Sequence, residues 1–193
     1  MGIQHDFAPR QLPYAAKSRY AEMLSVDDFK AAFRNHPAGV CIITAQGASG
    51  PVGLTATSVF SVSVNPPLLV FSLSAHSSSA ASIREAGTVV VHLLGEDQID
   101  LAKTFATSGI DRFGDGSTWS RLVTGEPVLP SADAWLRGTI VNEMNAGDSM
   151  VVAVRVLQIN LAFTADGDIE QTRPLVYHNR SWHSLSTDSI VSS

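Results

Sequence analysis

The segment Pro51 to Leu73, PVGLTATSVFSVSVNPPLLVFSL, constrains the fold more than any other part of the chain. It sets a run of small hydroxyl residues, GLTATS, between two strongly β-forming stretches. Asn65, Pro66 and Pro67 interrupt the second stretch, and the residue before each proline is pushed to extended geometry, so a tight reversal precedes LLVFSL. The segment therefore reads as strand, turn, strand with a polar ledge.

The remaining elements follow from spacing. Ser25 caps a helix in which Val26, Phe29, Phe33 and His36 recur at helical intervals until Pro37 and Gly39 stop it. Gly39 to Ala45 is a buried strand, and GASGP at Gly47 to Pro51 supports a hairpin turn into the ledge. A helix ends near Gly87, Thr88 to Leu94 is β-rich, and a further helix from about Asp97 to Ala106 puts Leu101 and Phe105 on one face. Thr107 to Val128 has no clear period, a length unusual for a loop unless it covers something. Two long β segments, Ala134 to Met144 and Ser149 to Phe163, meet at NAGDS, and PLVYH and SWHSL form a closing pair around Asn179 and Arg180. Residues 151 to 156 are apolar at nearly every position, which predicts burial on both faces. Many strands, few helices, no βαβ alternation and no repeat indicate a mainly β, mostly antiparallel barrel. We divide the chain into an N-terminal arm over 1–24, a domain over 25–185 and a tail over 186–193.

With 193 residues and 45% hydrophobic content, one domain has enough chain to bury a core. A net charge of −5 with only 13 Lys and Arg leaves no basic stripe, so nucleic acid is not an expected partner and any anionic cofactor must be held locally. Apolar runs such as Leu68 to Phe71 are far shorter than a membrane span, and MGIQHDFAPRQ lacks a basic region followed by an apolar one, so the expectation is a cytoplasmic protein without a membrane partner. The single cysteine, Cys41, lies in an apolar strand, fits a reducing compartment and reads as core. Six dispersed histidines and one cysteine give no metal-ligand spacing, and GxGxxG, P-loop and GxSxG motifs are absent.

Chemistry concentrates in two places. The ledge offers backbone N–H groups and short hydroxyls with little bulk, suited to a flat or anionic ligand approaching the main chain. Ser77, Ser78 and Ser79 stand where the next helix begins, and such a start can receive a phosphate or serve simply as a cap. A planar ring beside one and a phosphate on the other outline a flavin nucleotide site.

At these residues the chain resembles the short-chain flavin reductase family, the reductase components of two-component flavin-dependent monooxygenases. FKAAFRNHPAGVCIIT, the Pro51 to Leu73 segment, HSSSAASIREAG, VVVHLLGEDQIDLAKTFA, DRFGD, GEPVLPSADAWLRGTIVNEMNAGDSMVVAVRVLQI and PLVYHNRSW occur in order from Phe29 to Trp182. The resemblance implies an FMN-binding split β-barrel of Greek-key type with a few peripheral α-helices, forming a homodimer with flavin near the subunit interface. It also implies that NADH or NADPH reduces loosely held FMN or FAD, which diffuses to a partner monooxygenase.

Carried over residue by residue, the resemblance sets Thr55, Ala56, Thr57 and Ser58 along the isoalloxazine ring, where sequence alone favours ordinary residues of an exposed strand edge. It sets Ser72, Leu73, Ser74, Ser77, Ser78 and Ser79 on the phosphate side, and Arg112 and Phe113 in a loop closing on the flavin. Ser149 occupies the place where the family shows a histidine after Gly-Asp, which weakens the expected nicotinamide contact. His178 is the other candidate for orienting the nicotinamide, or else a strand-end surface residue. No catalytic acid or base is required, because the cofactors carry the chemistry. Two other readings share these residues: a flavin carrier without NAD(P)H turnover, and an oxidase of the pyridoxamine-phosphate type that holds flavin tightly.

Overall fold

The computed structural model describes residues 25–162, 166 and 172–191. The expected arm over residues 1–24 and the strand end at Phe163 lie outside them. Contacts divide the chain into two units, Met1–His36 and Pro37–Ser193. In the first, helix α1 (Val26–Arg34) begins as its sequence predicts: Ser25 Oγ accepts the Asp28 amide at 3.0 Å, with Asp27 and Asp28 in the electropositive first turn. Phe29 and Phe33, one turn apart, bring their ring centroids to 4.9 Å.

In the second unit the chain runs through β1 (Ala38–Gly39), β2 (Cys41–Gly47), β3 (Gly50–Ala56), β4 (Phe60–Ser63) and β5 (Leu68–Ser74). Helix α2 (Ala80–Ala86), β6 (Thr88–Leu93) and helix α3 (Ile99–Ala106) follow. The last strands are β7 (Ser120–Arg121), β8 (Pro127–Val128), β9 (Ala134–Ala146), β10 (Ser149–Leu161), β11 (Leu175–His178) and β12 (Ser181–Ser184). Seven strands form an antiparallel sheet in the order β3, β2, β6, β9, β10, β5, β4. The strands at its two ends, β3 and β4, are joined by only Thr57, Ser58 and Val59. So short a link reaches roughly 10 Å, so the sheet must curl until its ends meet. This is a mainly β, split-barrel architecture.

Period-two alternation fills the curl. Cys41, Ile43 and Ala45 of β2 point inward with Val89 and Val91 of β6, Phe71 and Leu73 of β5, and Val152 and Val154 of β10, and Ile83 of α2 closes the cluster. Ile42 points the other way, into a second buried layer with Val40, Leu94, Leu129, Leu175 and Ala102 and Phe105 of α3. Strand β2 is thus buried on both faces, as its unbroken apolar run demands. The same expectation for residues 151 to 156 is met in part: Val152 and Val154 are buried, Val151, Ala153 and Val156 are half-buried, and Arg155 is exposed.

A small sheet, β1, β11, β12, is stitched to the large one where Val40 N donates to Leu175 O (2.9 Å) and Leu175 N to Leu94 O (2.9 Å). Asn179 and Arg180, with φ of 48° and 62°, form the tight β11–β12 turn.

The aperiodic stretch from Thr107 is ordered by individual bonds rather than by a repeating face. Trp119 Nε1 donates to Phe113 O at 2.9 Å, Asp115 Oδ1 accepts the Ser117 amide at 2.9 Å, and β7 pairs with β8. Glu126 anchors its end to β9 through Arg137 (2.7 Å). Burial raises the pKa of that carboxyl, but hydrogen bonds from Arg137, Thr124, its own amide and Thr88 outweigh burial and bring it to about 2.

His92 is wholly buried between these layers. Leu129 N donates to its Nε2 at 3.0 Å, so Nδ1 carries the proton and donates to Ile42 O at 3.0 Å. Burial pushes its pKa down to about 4, against a smaller upward pull from Ile42.

Candidate functional site

A cavity of about 430 Å³ opens where the end of β3, the β3–β4 link, the end of β5 and the start of the Thr107 stretch converge. Its volume falls within the range of small-molecule sites, roughly 300–1,000 Å³. Alternation on β5 decides which of its residues reach it: Ser72 and Ser74 line the cavity, while Leu73, between them, turns into the core. Thr55, Ala56, Thr57 and Ser58 form the opposite wall, and Ser77, Ser78, Arg112 and Ser149 complete the set. The structure therefore gathers ten of the residues expected from sequence around one space.

Their hydroxyls divide into two groups. Those already engaged by protein hold the walls: Thr55 Oγ1 donates to Ala102 O of α3 at 2.7 Å, and Ser58 Oγ accepts the Ser72 amide at 3.0 Å, joining the two rims of the sheet. Thr57, Ser72, Ser77, Ser78 and Ser149 line the cavity with hydroxyls that make no hydrogen bond among the described residues. These are the groups left to a ligand.

Ser79 lies outside the lining. It is buried, its hydroxyl donates to Gly53 O at 3.0 Å, and it makes no side-chain cap on α2. Arg112 approaches the same carbonyl: Nη1 donates to Gly53 O and to Ser79 Oγ, both at 3.0 Å, while Nε and Nη2 donate to Thr107 O at 3.2 and 2.8 Å. Its charge is beside the cavity, but most of its N–H groups fasten the Thr107 stretch to β3. Gly53 also lets Phe105 of α3 pack closely on β3. A Cβ there would stand 2.7 Å from the Phe105 ring and 3.0 Å from Ile43 O.

Phe113 is placed differently from its expected position against a cofactor. Its ring packs edge-on between Phe105 and Trp119, 5.2 Å from each, outside the cavity lining. The aromatic residue that lines the cavity is Phe105, together with Ala106 and Ser108. Its helical spacing marked it only as a core residue. His178 is not among the lining residues; it lies on β11, with its ring centroid 5.7 Å from that of His183. The imidazole that does reach the cavity is His76, in the turn after β5, whose amide donates to Ser74 Oγ at 3.2 Å. It heads the HSSSAASIREAG segment, in which sequence reasoning singled out only the serines.

The tip of the β9–β10 hairpin completes the site. Gly147 takes φ of +70°, Asp148 O accepts the Ala75 amide at 2.9 Å, and Ser149 pairs in register with Ser74. Among the described residues no group of three or more His, Cys, Asp or Glu side chains is placed to hold a metal ion, and no helix is long and apolar enough to cross a membrane. A lining of hydroxyls and main chain beside one guanidinium, the Phe105 ring and the His76 imidazole fits a flat, phosphate-bearing ligand.

This class, a split barrel with a polar cleft, narrows to one family. The chain belongs to the flavin reductase like domain family, which matches residues 33–186. It is 39% identical over 169 residues to the NADH:FMN oxidoreductase of Rhodococcus qingshengii, covering 88% of this chain and 86% of that one. It is 31% identical over 170 residues to the reductase component of 4-nitrophenol 4-monooxygenase/4-nitrocatechol 2-monooxygenase of Rhodococcus opacus, covering 84% and 91%. The crystal structure of a flavin reductase domain protein from Arthrobacter sp. FB24 superposes with a TM-score of 0.75 at 34% identity, covering 83% of this chain and 95% of that one.

Proposed function

We propose that this chain is an NAD(P)H:flavin oxidoreductase that reduces FMN or FAD and supplies the reduced flavin to a partner monooxygenase. The observation that carries this reading is the single cavity in which Thr55–Ser58, Ser72, Ser74, Ser77, Ser78, Arg112 and Ser149 meet. When bound, the flavin supplies a hydride acceptor at N5 for the reduced nicotinamide.

The chain's own residues bind and orient. The main chain and Thr57 hydroxyl of the ledge are available to the ring edge, and Ser77 and Ser78 to the phosphate. Arg112 adds positive potential to the phosphate side while holding its loop in place. Ser149 faces the nicotinamide side with a neutral hydroxyl, which supports a weakly held, exchanging pyridine nucleotide. Residues 25–185 form the reductase domain, and the protein works in the cytoplasm as a homodimer. Exposed apolar side chains on and beside β4, including Phe60 at 60% and Val64 at 93%, with Leu157 and Ile159 on β10, support burial against a second copy. Reduced flavin reaches the oxygenase by diffusion, so no docking surface is required.

The test is aerobic NADH and NADPH consumption by purified protein with FMN, FAD or no flavin, beside a flavin-binding titration. Turnover dependent on added flavin supports the reading. Binding without turnover assigns the chain to the flavin carriers, and flavin retained through dialysis moves it toward an oxidase. Light scattering that returns one subunit mass would refute the dimer.

A further inference from the structure

The cavity lining contains no Asp or Glu, and the side chains in it that can carry charge, Arg112 and His76, are both basic. In a chain of net charge −5, two basic groups facing one space mark where an anion can be held. Arg112 has little left to give a ligand. Four of its N–H groups are spent, through Nε and Nη2 on Thr107 O and through Nη1 on Gly53 O and Ser79 Oγ, which leaves a single N–H on Nη2. The two parallel bonds by which a guanidinium grips a phosphate therefore cannot form without releasing the loop.

His76 is in the opposite condition. Its backbone is fixed, because its amide donates to Ser74 Oγ at 3.2 Å and the Ser77 amide donates to Ser74 O at 3.0 Å, closing the turn after β5. Its ring is exposed to the cavity and makes no hydrogen bond among the described residues. Protonated, an imidazole presents two N–H donors and a full positive charge. Those donors stand next in the chain to Ser77 and Ser78, whose hydroxyls are equally unspent.

We infer that His76, rather than Arg112, is the direct charge partner of the phosphate on the flavin's ribityl chain. The inference rests on the proposed reductase function. Arg112 holds its loop and adds potential, while His76 donates the charge-assisted hydrogen bond. That phosphate is present in FMN and FAD and missing from riboflavin, so its recognition can be separated from binding of the ring. The pyridine nucleotide also carries phosphate, and its KM reports on it separately. Dissociation constants of FMN and riboflavin, and the KM of NADH at saturating flavin, are measured in wild type, His76→Gln and His76→Lys.

His76→Gln keeps a donor and removes the charge, so FMN affinity should fall about tenfold, the effect of one hydrogen bond to a charged group, while riboflavin affinity and the KM of NADH stay constant. His76→Lys should restore the ratio of FMN to riboflavin affinity. A merely structural role would lower both flavins alike, and an unchanged ratio in His76→Gln would overturn the inference even where wild-type turnover upholds the reductase reading. A rise in the KM of NADH at constant ratio would also overturn it, by assigning the imidazole to the pyridine nucleotide. Independently of turnover, FMN titrated into isotope-labelled wild type should shift the His76 ring resonances more than riboflavin does. Equal shifts from the two flavins, or none, would likewise overturn it.

Discussion

Lowering the pH should destabilise this fold through His92 before any other described group contributes as much. The folded imidazole titrates near 4 and its ordinary value is 6.5. Between those values the unfolded chain binds a proton that the folded chain refuses, so stability falls as pH drops below 6.5 and the loss levels off below 4. At pH 5 the unfolded imidazole is about 97% protonated and the buried one about 9%, which corresponds to a loss of about 2 kcal/mol relative to pH 7.5. Glu126 works in a lower window: its stabilising charge is lost as pH falls from its ordinary value of 4.5 toward 2, so it changes little at pH 5. The control is His92→Gln, whose amide can donate to Ile42 O and accept from Leu129 N but does not titrate. Urea unfolding of both proteins at pH 7.5, 6.5, 5.75 and 5.0 should show the wild type losing about 2 kcal/mol more than the variant. Parallel pH profiles would refute the buried neutral tautomer and the linkage built on it.

Gly53→Ala should destabilise by about 1–3 kcal/mol through overpacking against Phe105, lowering Tm by roughly 2–4 °C per kcal/mol in thermal unfolding. Ser78→Asp should weaken flavin binding about tenfold or more by bringing a carboxylate toward the phosphate, read by fluorescence quenching; unchanged affinity would count against the phosphate placement. Arg112→Met should free the Thr107 stretch from β3, so that trypsin cleavage at Arg121 accelerates while α2 and β3 stay protected, and an unchanged digestion rate would contradict the fastening role. Removing Glu126 as Glu126→Ala should cost about 1–3 kcal/mol because the half-buried Arg137 loses its partner, measured by chemical denaturation.

Local periodicity carried most of the fold. The β-forming LLVFSL run and the proline break before it predicted a strand and reversal that the structure bears out, and helical spacing put Phe105 on one face of α3 with Leu101, where the structure buries it. What sequence could not convey was which residues outside those periods are drawn inward. Trp119 and Phe113 lie in a stretch without period because single hydrogen bonds and one aromatic stack order it, and these leave no repeating mark. Glu126 and His92 are buried polar groups whose partners, Arg137 and Leu129, are 11 and 37 residues away. Such pairings are properties of the tertiary structure.

The site shows the same division for a chemical reason. A cofactor-dependent hydride transfer asks the protein for surfaces and weak donors, so the ledge and the serines were readable as small polar residues in an otherwise apolar run. The same demand makes their individual roles unreadable, since Ser77, Ser78 and Ser79 are identical in sequence. The structure separates them by direction: two hydroxyls line the cavity, while Ser79 is turned to Gly53 O, where it receives Arg112. That inward serine couples the cavity wall to the loop bearing the site's one guanidinium, so a change at Ser79 should reach flavin binding by displacing Arg112 rather than by removing a ligand. Ser79→Ala retains the small buried volume and deletes the hydroxyl that donates to Gly53 O and accepts from Arg112. Flavin affinity should fall in Ser79→Ala together with faster cleavage at Arg121, whereas Ser77→Ala should lower affinity and leave cleavage unchanged. Equal behaviour of the two variants in both assays would refute this separation of roles.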